Sequence, residues 1–328
     1  MKEVDTEIII VGGGAAGLQA ALMLGRQRRT VVLIESGDNR NAPAASIHML
    51  PGQDGVAPAK FYKAAHRELG ALETLSRLRG RVASMSVDAS TDTVAVHLSG
   101  GRVITARRLL LATGQHDQLS GIAGLADLWG AGVYHCPYCH GWESRDRDIV
   151  VVQVPGMPPA KAHYQALYLA QRLARRVRVI ADEFPEEQLR QALADKNVEV
   201  LRGAVTRLSG TPGAVTVAAS LHPGGGAAGE AAGDAVTIDT ELVYAMPPIT
   251  PGLRDVPAGV ETDGPWILTD AQQRTSLPQV FAAGDACKPR HCPVPEPSPF
   301  VAQALAQGQT AGLWIDQDLF LADALRPR

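Results

Sequence analysis

Glu7-Ile8-Ile9-Ile10-Val11-Gly12-Gly13-Gly14-Ala15-Ala16-Gly17, near the start of the 328-residue chain, runs a β-branched segment straight into a glycine-rich turn. Apolar residues then recur at helical spacing through Leu18, Ala21, Leu22 and Leu24, so the stretch reads strand, turn, helix. A second apolar strand, Thr30 to Ile34, follows and ends on Glu35. Gly12, Gly14 and Gly17 permit a tight turn and close backbone approach to a pyrophosphate at the helix N-terminus, and Glu35 is placed to accept hydrogen bonds from adenosine ribose hydroxyls. In this setting the glycine run is a dinucleotide fingerprint, common to FAD and NAD sites.

The far end of the chain separates the two cofactors. Ser276-Leu277-Pro278-Gln279-Val280-Phe281-Ala282-Ala283-Gly284-Asp285 reads as a short strand ending in Gly-Asp, followed after a loop by a helix. An aspartate there suits the ribityl chain of a flavin, and the helix N-terminus that follows stabilises negative charge on the flavin's pyrimidine ring. Leu109-Leu110-Leu111-Ala112-Thr113-Gly114 has the same strand-to-glycine form. FAD is the cofactor these segments call for.

Composition fits a soluble enzyme of about two domains, with 45% hydrophobic and 20% charged residues. A net charge of -3 and a pI near 6.3 supply no positive field to attract nucleic acid or an anionic membrane. The residues ahead of Ile8 lack the pattern of a signal peptide, and no stretch approaches the roughly 20 apolar residues of a membrane span, so a cytoplasmic location is expected. The four cysteines form two close pairs, Cys136 with Cys139 and Cys287 with Cys292, which points to redox chemistry or metal binding rather than a stapled scaffold.

His135-Cys136-Pro137-Tyr138-Cys139-His140-Gly141-Trp142-Glu143 is the chemically richest segment. Two cysteines at this spacing can close a small disulfide ring, and Pro137 is placed to start a helix whose N-terminus stabilises a Cys136 thiolate, the attacking form in exchange. A zinc site would need two more ligands, from His135, His140 or the second cysteine pair. A purely structural disulfide is the third reading.

The glycine-rich opening, the Ala112-Thr113-Gly114 and Gly284-Asp285 strand ends and the Cys-x-x-Cys between them, taken in order, resemble the low-molecular-weight thioredoxin reductases. The resemblance implies an α/β fold of two Rossmann-like domains, the second inserted into the first, with FAD and a homodimer. The FAD-binding domain would comprise 1–117 and 246–328, and 118–245 would be an NAD(P)-like insert carrying the Cys-x-x-Cys. By position, Gly12, Gly14, Ala15, Ala16, Gly17, Glu35, Ser36, Arg40, Asn41, His48, Val82, Ala112, Thr113, Gly114, Gly284 and Asp285 would contact FAD. Cys139 would be the flavin-facing sulfur and Cys136 the exchange sulfur.

Two departures from those reductases stand out. The insert keeps strand, helix and strand at Ile149 to Val154, Ala160 to Arg176 and Val177 to Ala181. However, where the family has a Gly-x-Gly-x-x-Ala turn for NADPH, this chain reads Gln153-Val154-Pro155-Gly156-Met157-Pro158-Pro159-Ala160. Proline removes an amide donor, so three prolines argue against a loop that wraps a pyrophosphate. Where the family places arginines for the 2'-phosphate, Asp182, Glu183, Glu186 and Glu187 would repel it. Pro247-Pro248 also stand where a glycine is usual. NAD(P)H is therefore not expected as the reductant; a remodelled loop that still holds a nicotinamide weakly is the alternative.

The second departure is His140, in place of an acidic residue. An imidazole with a pKa of about 6.5 can take a thiol proton near neutrality, although a histidine can also merely fill space. Cys-Pro-Tyr-Cys-His-Gly followed by an aromatic and Glu143 resembles the dithiol oxidase branch, whose members close disulfides in natural products such as gliotoxin, holomycin and romidepsin, and which also tends to lack the NADPH motifs. The expected activity is an FAD-dependent dithiol oxidase of antibiotic-type biosynthesis: Cys136, Cys139 and His140 catalytic, a small-molecule dithiol and O2 as substrates, H2O2 released and no metal. The alternatives are an NAD(P)H-dependent thioredoxin or disulfide reductase and a reductase fed by ferredoxin or another protein.

Cys287 and Cys292 lie in a loop after the Gly-Asp strand, followed by prolines at 293, 295, 297 and 299. A local bridge, a second exchange pair or a metal site with His291 are the readings there. That loop and Ala42 to Gln53 are expected to shape the substrate pocket. The Gly/Ala-rich stretch Pro223 to Gly233 reads as the flexible connection of a strand pair.

Overall fold

The structure, a computed structural model, describes residues 4–222, 234–291 and 299–325; the 223–233 connection and Cys292 lie outside them. The chain divides into two compact units, one of residues 1–42, 58–116 and 250–328, the other of residues 43–57 and 117–249.

The first unit is built on a seven-stranded sheet. Its parallel part runs Leu75–Arg79, Val31–Glu35, Thr6–Val11, Val103–Leu111 and Val280–Ala282, and Thr93–Leu98 and Val82–Asp88 extend it antiparallel from Val103–Leu111. Side chains alternate across the sheet. Ile8 and Ile10 enter one apolar cluster with helices Ala15–Arg26 and Val301–Ala324, while Ile9 and Val11 enter another on the opposite face. This two-sided burial is why the strands read as near-continuous apolar runs. The two helices pack closely because Gly308 has no side chain: a Cβ there would overlap the Ala16 carbonyl.

Register brings the signature residues to one sheet edge. Val11 pairs with Ile34 and Leu111, and Leu111 with Ala282, so Gly12, Glu35, Ala112 and Ala283 all leave the sheet at its C-terminal end. Ligands of open α/β sheets bind outside this end.

The second unit has its own seven-stranded sheet, in the order Asp234–Thr240, Ala214–Leu221, Glu199–Thr211, Arg176–Ala181, Asp148–Val152, Leu242–Ala245 and Val133–Tyr134. The last five are parallel, and the first two join antiparallel. Val150 and Val152 bury on one face, Ile149 and Val151 on the other. The helix of this βαβ unit spans Pro159–Arg172, ending a turn before the sequence pattern suggested, because Arg175 already bonds to the Arg147 carbonyl at the start of the sheet.

Segment 43–57 groups with the second unit, whereas the sequence-based division leaves it in the first. Gly130, at φ +77°, packs against Pro43 so closely that a Cβ would overlap the Pro43 backbone, and His48 stands against His140. Among the described residues no helix is long and apolar enough to cross a membrane.

Candidate active site

In the first unit the glycine turn forms a cradle that side chains would fill. Gly12 adopts φ +112°, and a Cβ on it would overlap the Ala112 carbonyl oxygen; one on Gly17 would overlap the Gly12 carbonyl. Above Gly14, by contrast, the space is open. Gly14 caps helix Ala15–Arg26 without a side-chain bond, and the first turn carries no acidic residue, so the amides and positive dipole end of that helix are left for an external anion.

The rest of the expected FAD set surrounds the same edge. The Glu35 carboxylate lies against Gly13 and accepts from Arg77, with Nη2 at 2.5 Å. Gly80 donates to the Glu35 carbonyl, which brings the turn leading to Val82 alongside; Ser36 accepts from the Asp38 amide at 3.3 Å. Arg40 pairs with Asp285 at 3.1 Å, and Gly284, at φ +75°, donates its N–H to Gln307 on the final helix. Asn41 accepts from the Tyr62 hydroxyl at 3.1 Å, but its buried Nδ2 has no partner in the protein. Burial, with Asp285 nearby, pushes Tyr62 up to about 12, so it remains a donor. Glycine cradle, uncapped helix and orphaned amide fit FAD; Gly12, Gly14, Gly17, Glu35, Asn41 and Asp285 are the residues that would hold it.

His48 belongs to the second unit, where its ring stands edge-on to that of His140.

In the second unit Cys136 and Cys139 form a disulfide with Cα atoms 5.2 Å apart. Cys136 caps the short helix Pro137–His140, with Pro137 in its first turn, and its Sγ accepts from the Cys139 amide at 3.1 Å. That donor favours negative charge on Cys136 once the disulfide opens. Cys136 is 8% exposed, whereas Tyr138 between the two cysteines is 58% exposed.

His140 closes this helix. Its ring stacks on Tyr134 at 4.4 Å, and both ring nitrogens are buried without a hydrogen-bond partner. Burial and the neighbouring His48 push its pKa below the ordinary imidazole value, against an opposing pull from Glu143. The ring is therefore a neutral, unengaged proton acceptor. Its backbone is pinned: Ser144 donates to the His140 carbonyl at 2.7 Å and shares a 2.8 Å hydrogen bond with the buried Tyr244 hydroxyl. His135 stacks on Trp129, and its carbonyl accepts from Gln165 at 2.6 Å, which ties the cysteine segment to helix Pro159–Arg172. Neither Gln165 nor Tyr244 carries a sequence signal for this role, because both act across long chain separations.

The loop where a second nucleotide would sit is closed by its own side chain. Gln153 Nε2 donates to the Met157 carbonyl and Gln153 Oε1 accepts from the Asp182 amide, both at 2.8 Å. Pro158 and Pro159 occupy the cap and first turn of the helix, so two backbone donors a pyrophosphate would use do not exist.

Cys287 is a buried thiol, pushed up to about 12 by burial, and is thus unfit to begin an exchange near neutrality. Its partner in the sequence, Cys292, is among the residues left undescribed. Among the described residues no three His, Cys, Asp or Glu side chains gather as metal ligands would.

A flavin-type cradle on one Rossmann-like sheet and a Cys-x-x-Cys disulfide beside another define a disulfide oxidoreductase, and the chain belongs to the pyridine nucleotide-disulphide oxidoreductase family, whose model matches residues 6–308. Among its relatives is the thioredoxin reductase tcpT of Claviceps purpurea (strain 20.1), 30% identical over 288 residues that cover 85% of this chain and 86% of that protein. The crystal structure of HlmI is 30% identical with a TM-score of 0.79, covering 97% of this chain and 94% of that one. The thioredoxin reductase from Streptococcus pyogenes MGAS5005, 23% identical with a TM-score of 0.81 over 96% of this chain and 98% of that one, shares the fold. The protein is thus an FAD-dependent thiol:disulfide oxidoreductase of the thioredoxin reductase-like type.

Proposed function

We propose that the enzyme is a dithiol oxidase, closing a disulfide in a small natural-product dithiol with O2 as terminal oxidant and H2O2 as by-product. The observation that carries this is the Gln153 plug and paired prolines in the second unit's loop, which remove the entry point for reducing equivalents from a nicotinamide.

The chain's own residues supply the exchange chemistry. A substrate thiol gives its proton to neutral His140 and attacks Cys136, whose sulfur accepts from the Cys139 amide. Cys139 leaves as the thiolate. The second substrate thiol then displaces Cys136 and closes the product disulfide. Bound FAD supplies the two-electron acceptor that restores the enzyme disulfide, with oxygen as final oxidant. The further partner is a second copy of the chain, supported by the exposed Leu313, Phe320, Leu321 and Leu325 along the final helix.

Steady-state turnover tests the reading. With a small dithiol such as dithiothreitol and no nicotinamide, oxygen uptake, thiol loss and peroxide release are expected in the ratio of one O2 and one H2O2 per disulfide formed. Disulfide formation without oxygen uptake, or turnover only with NAD(P)H, would contradict it.

A further inference from the structure

Making a disulfide from a dithiol strips two protons from the substrate, one for each attacking sulfur, and one imidazole holds only one at a time. Cys139, the other base formed in the first step, has to stay a thiolate to pass its electrons on, so His140 is to be emptied elsewhere between the two steps, yet both its nitrogens are buried with no protein partner. The ring of His48 stands edge-on to it, centroids 6.5 Å apart and planes at 82°. His48 is itself held at both nitrogens, with Nδ1 3.3 Å from Asp54 Oδ2 and Nε2 3.6 Å from Glu143 Oε1. Exposure rises along this path: the His48 side chain is 17% exposed, Glu143 45% and Asp54 63%.

We propose that His48 is a positioning and relay residue that takes the proton from His140 between the two exchange steps and passes it to solvent at Asp54 and Glu143. This rests on the dithiol oxidase reading above. In the first step a substrate thiol gives its proton to His140, its sulfur bonds to Cys136, and the Cys136 to Cys139 bond breaks with the electron pair on Cys139. His48 then relieves His140 of the proton, through a ring rotation or one bridging water. In the second step the other thiol protonates the emptied His140, the substrate sulfurs bond to each other, and the bond to Cys136 breaks with its pair on Cys136. Two electrons have moved from substrate to the enzyme cysteines, and no oxidant beyond the enzyme disulfide is consumed.

The surrounding charges favour single occupancy. Glu143 stabilises a proton on His140, whereas a protonated His48 opposes it. Tyr134, stacked on His140, and Tyr244, bonded to Ser144, are both held neutral by burial, and Arg147 is the cation that acts on Tyr134. The Met49 amide and His48 keep the Asp54 carboxyl below its usual range, so the outlet stays ionised. Two cations this close repel.

The test uses holoenzyme, dithiothreitol and anaerobic rapid mixing from about pH 5.5 to 9, trapping the mixed disulfide at Cys136 separately from the bleaching of flavin absorbance. In His48→Phe the mixed disulfide is expected to form at nearly the wild-type rate, while bleaching slows about tenfold or more and recovers with added imidazole. His48→Gln, which keeps polarity but accepts no proton, should behave like His48→Phe. Asp54→Asn alters only the exposed outlet and should slow bleaching about two- to threefold with the flavin retained. Wild-type rates and pH profile in both His48 variants would overturn the relay alone, as would equal slowing of both phases without imidazole rescue. Wild-type enzyme that dithiothreitol does not bleach would overturn the oxidase reading, and the relay with it.

Discussion

The turn at Gly12 to Gly17 and the loop at Gln153 to Ala160 occupy equivalent places, each joining a buried parallel strand to a helix, and they have opposite fates. In the first, Cβ atoms on Gly12 and Gly17 would overlap backbone and one on Gly13 the Glu35 side chain, and the helix N-terminus is left open. In the second, prolines delete donors and the Gln153 side chain bonds the Met157 carbonyl and the Asp182 amide. Buried strands preserve the scaffold in both because their apolar faces hold the core regardless of ligand. On the proposed reading, a nucleotide site is lost at the turn while the fold around it is kept.

The largest effect that sharpens this contrast is expected from Gly17→Val. Its side chain would overlap the Gly12 carbonyl, so the protein should purify colourless and inactive, as read from its visible spectrum. Retained flavin would mean the first turn is not the cofactor cradle. Next comes His140→Gln, expected to lower kcat/KM for a dithiol by about a hundredfold while leaving flavin content intact. Its sign with pH follows from burial. Because the folded His140 pKa is depressed, the base is deprotonated and active down to below the ordinary imidazole value of about 6.5, and the acid limb of wild-type kcat/KM should fall below that pH. An acid limb above it would contradict the neutral, buried base.

Smaller effects should arise at the second loop. Opening it with Gln153→Gly, Pro158→Gly and Pro159→Ala together restores two amide donors and removes the plug; weak NADH binding is expected by calorimetry where the wild type gives none, with dithiol turnover retained. Loss of dithiol turnover would instead make this loop part of the exchange site. Smallest of all is Gly156→Ala. Gly156 sits at φ +86° with only Pro248 nearby, so the cost is the left-handed backbone, about 1–2 kcal/mol, read as a lowered Tm with unaltered kcat.

How much of this was legible in the sequence depended on how local the physics is. Gly12, Gly17 and the Ala112 and Gly284 strand ends are constrained by the backbone, and such positions announce themselves as glycines or small residues at fixed spacing. Cys136 and Cys139 likewise depend on a single short helix that Pro137 starts. The companions of His140 were not legible in the same way. Segment 43–57 packs beside Gly130 and brings His48 against His140, a contact with no local sequence signal. The bond between Ser144 and Tyr244 spans 100 residues, and Gln165 reaches His135 from a helix that sequence alone marks only as nucleotide scaffold. Prolines at 158 and 159 signalled the missing donors, but not that Gln153 would take up the space they leave.

The most direct measurement of the central claim is the anaerobic reductive half-reaction, mixing purified enzyme with dithiothreitol, NADPH or NADH and following the flavin band near about 450 nm. Bleaching by the dithiol alone, with peroxide appearing when air is readmitted, is the expected result. Rapid bleaching by NADPH would contradict it and return the enzyme to the nicotinamide-fed reductases.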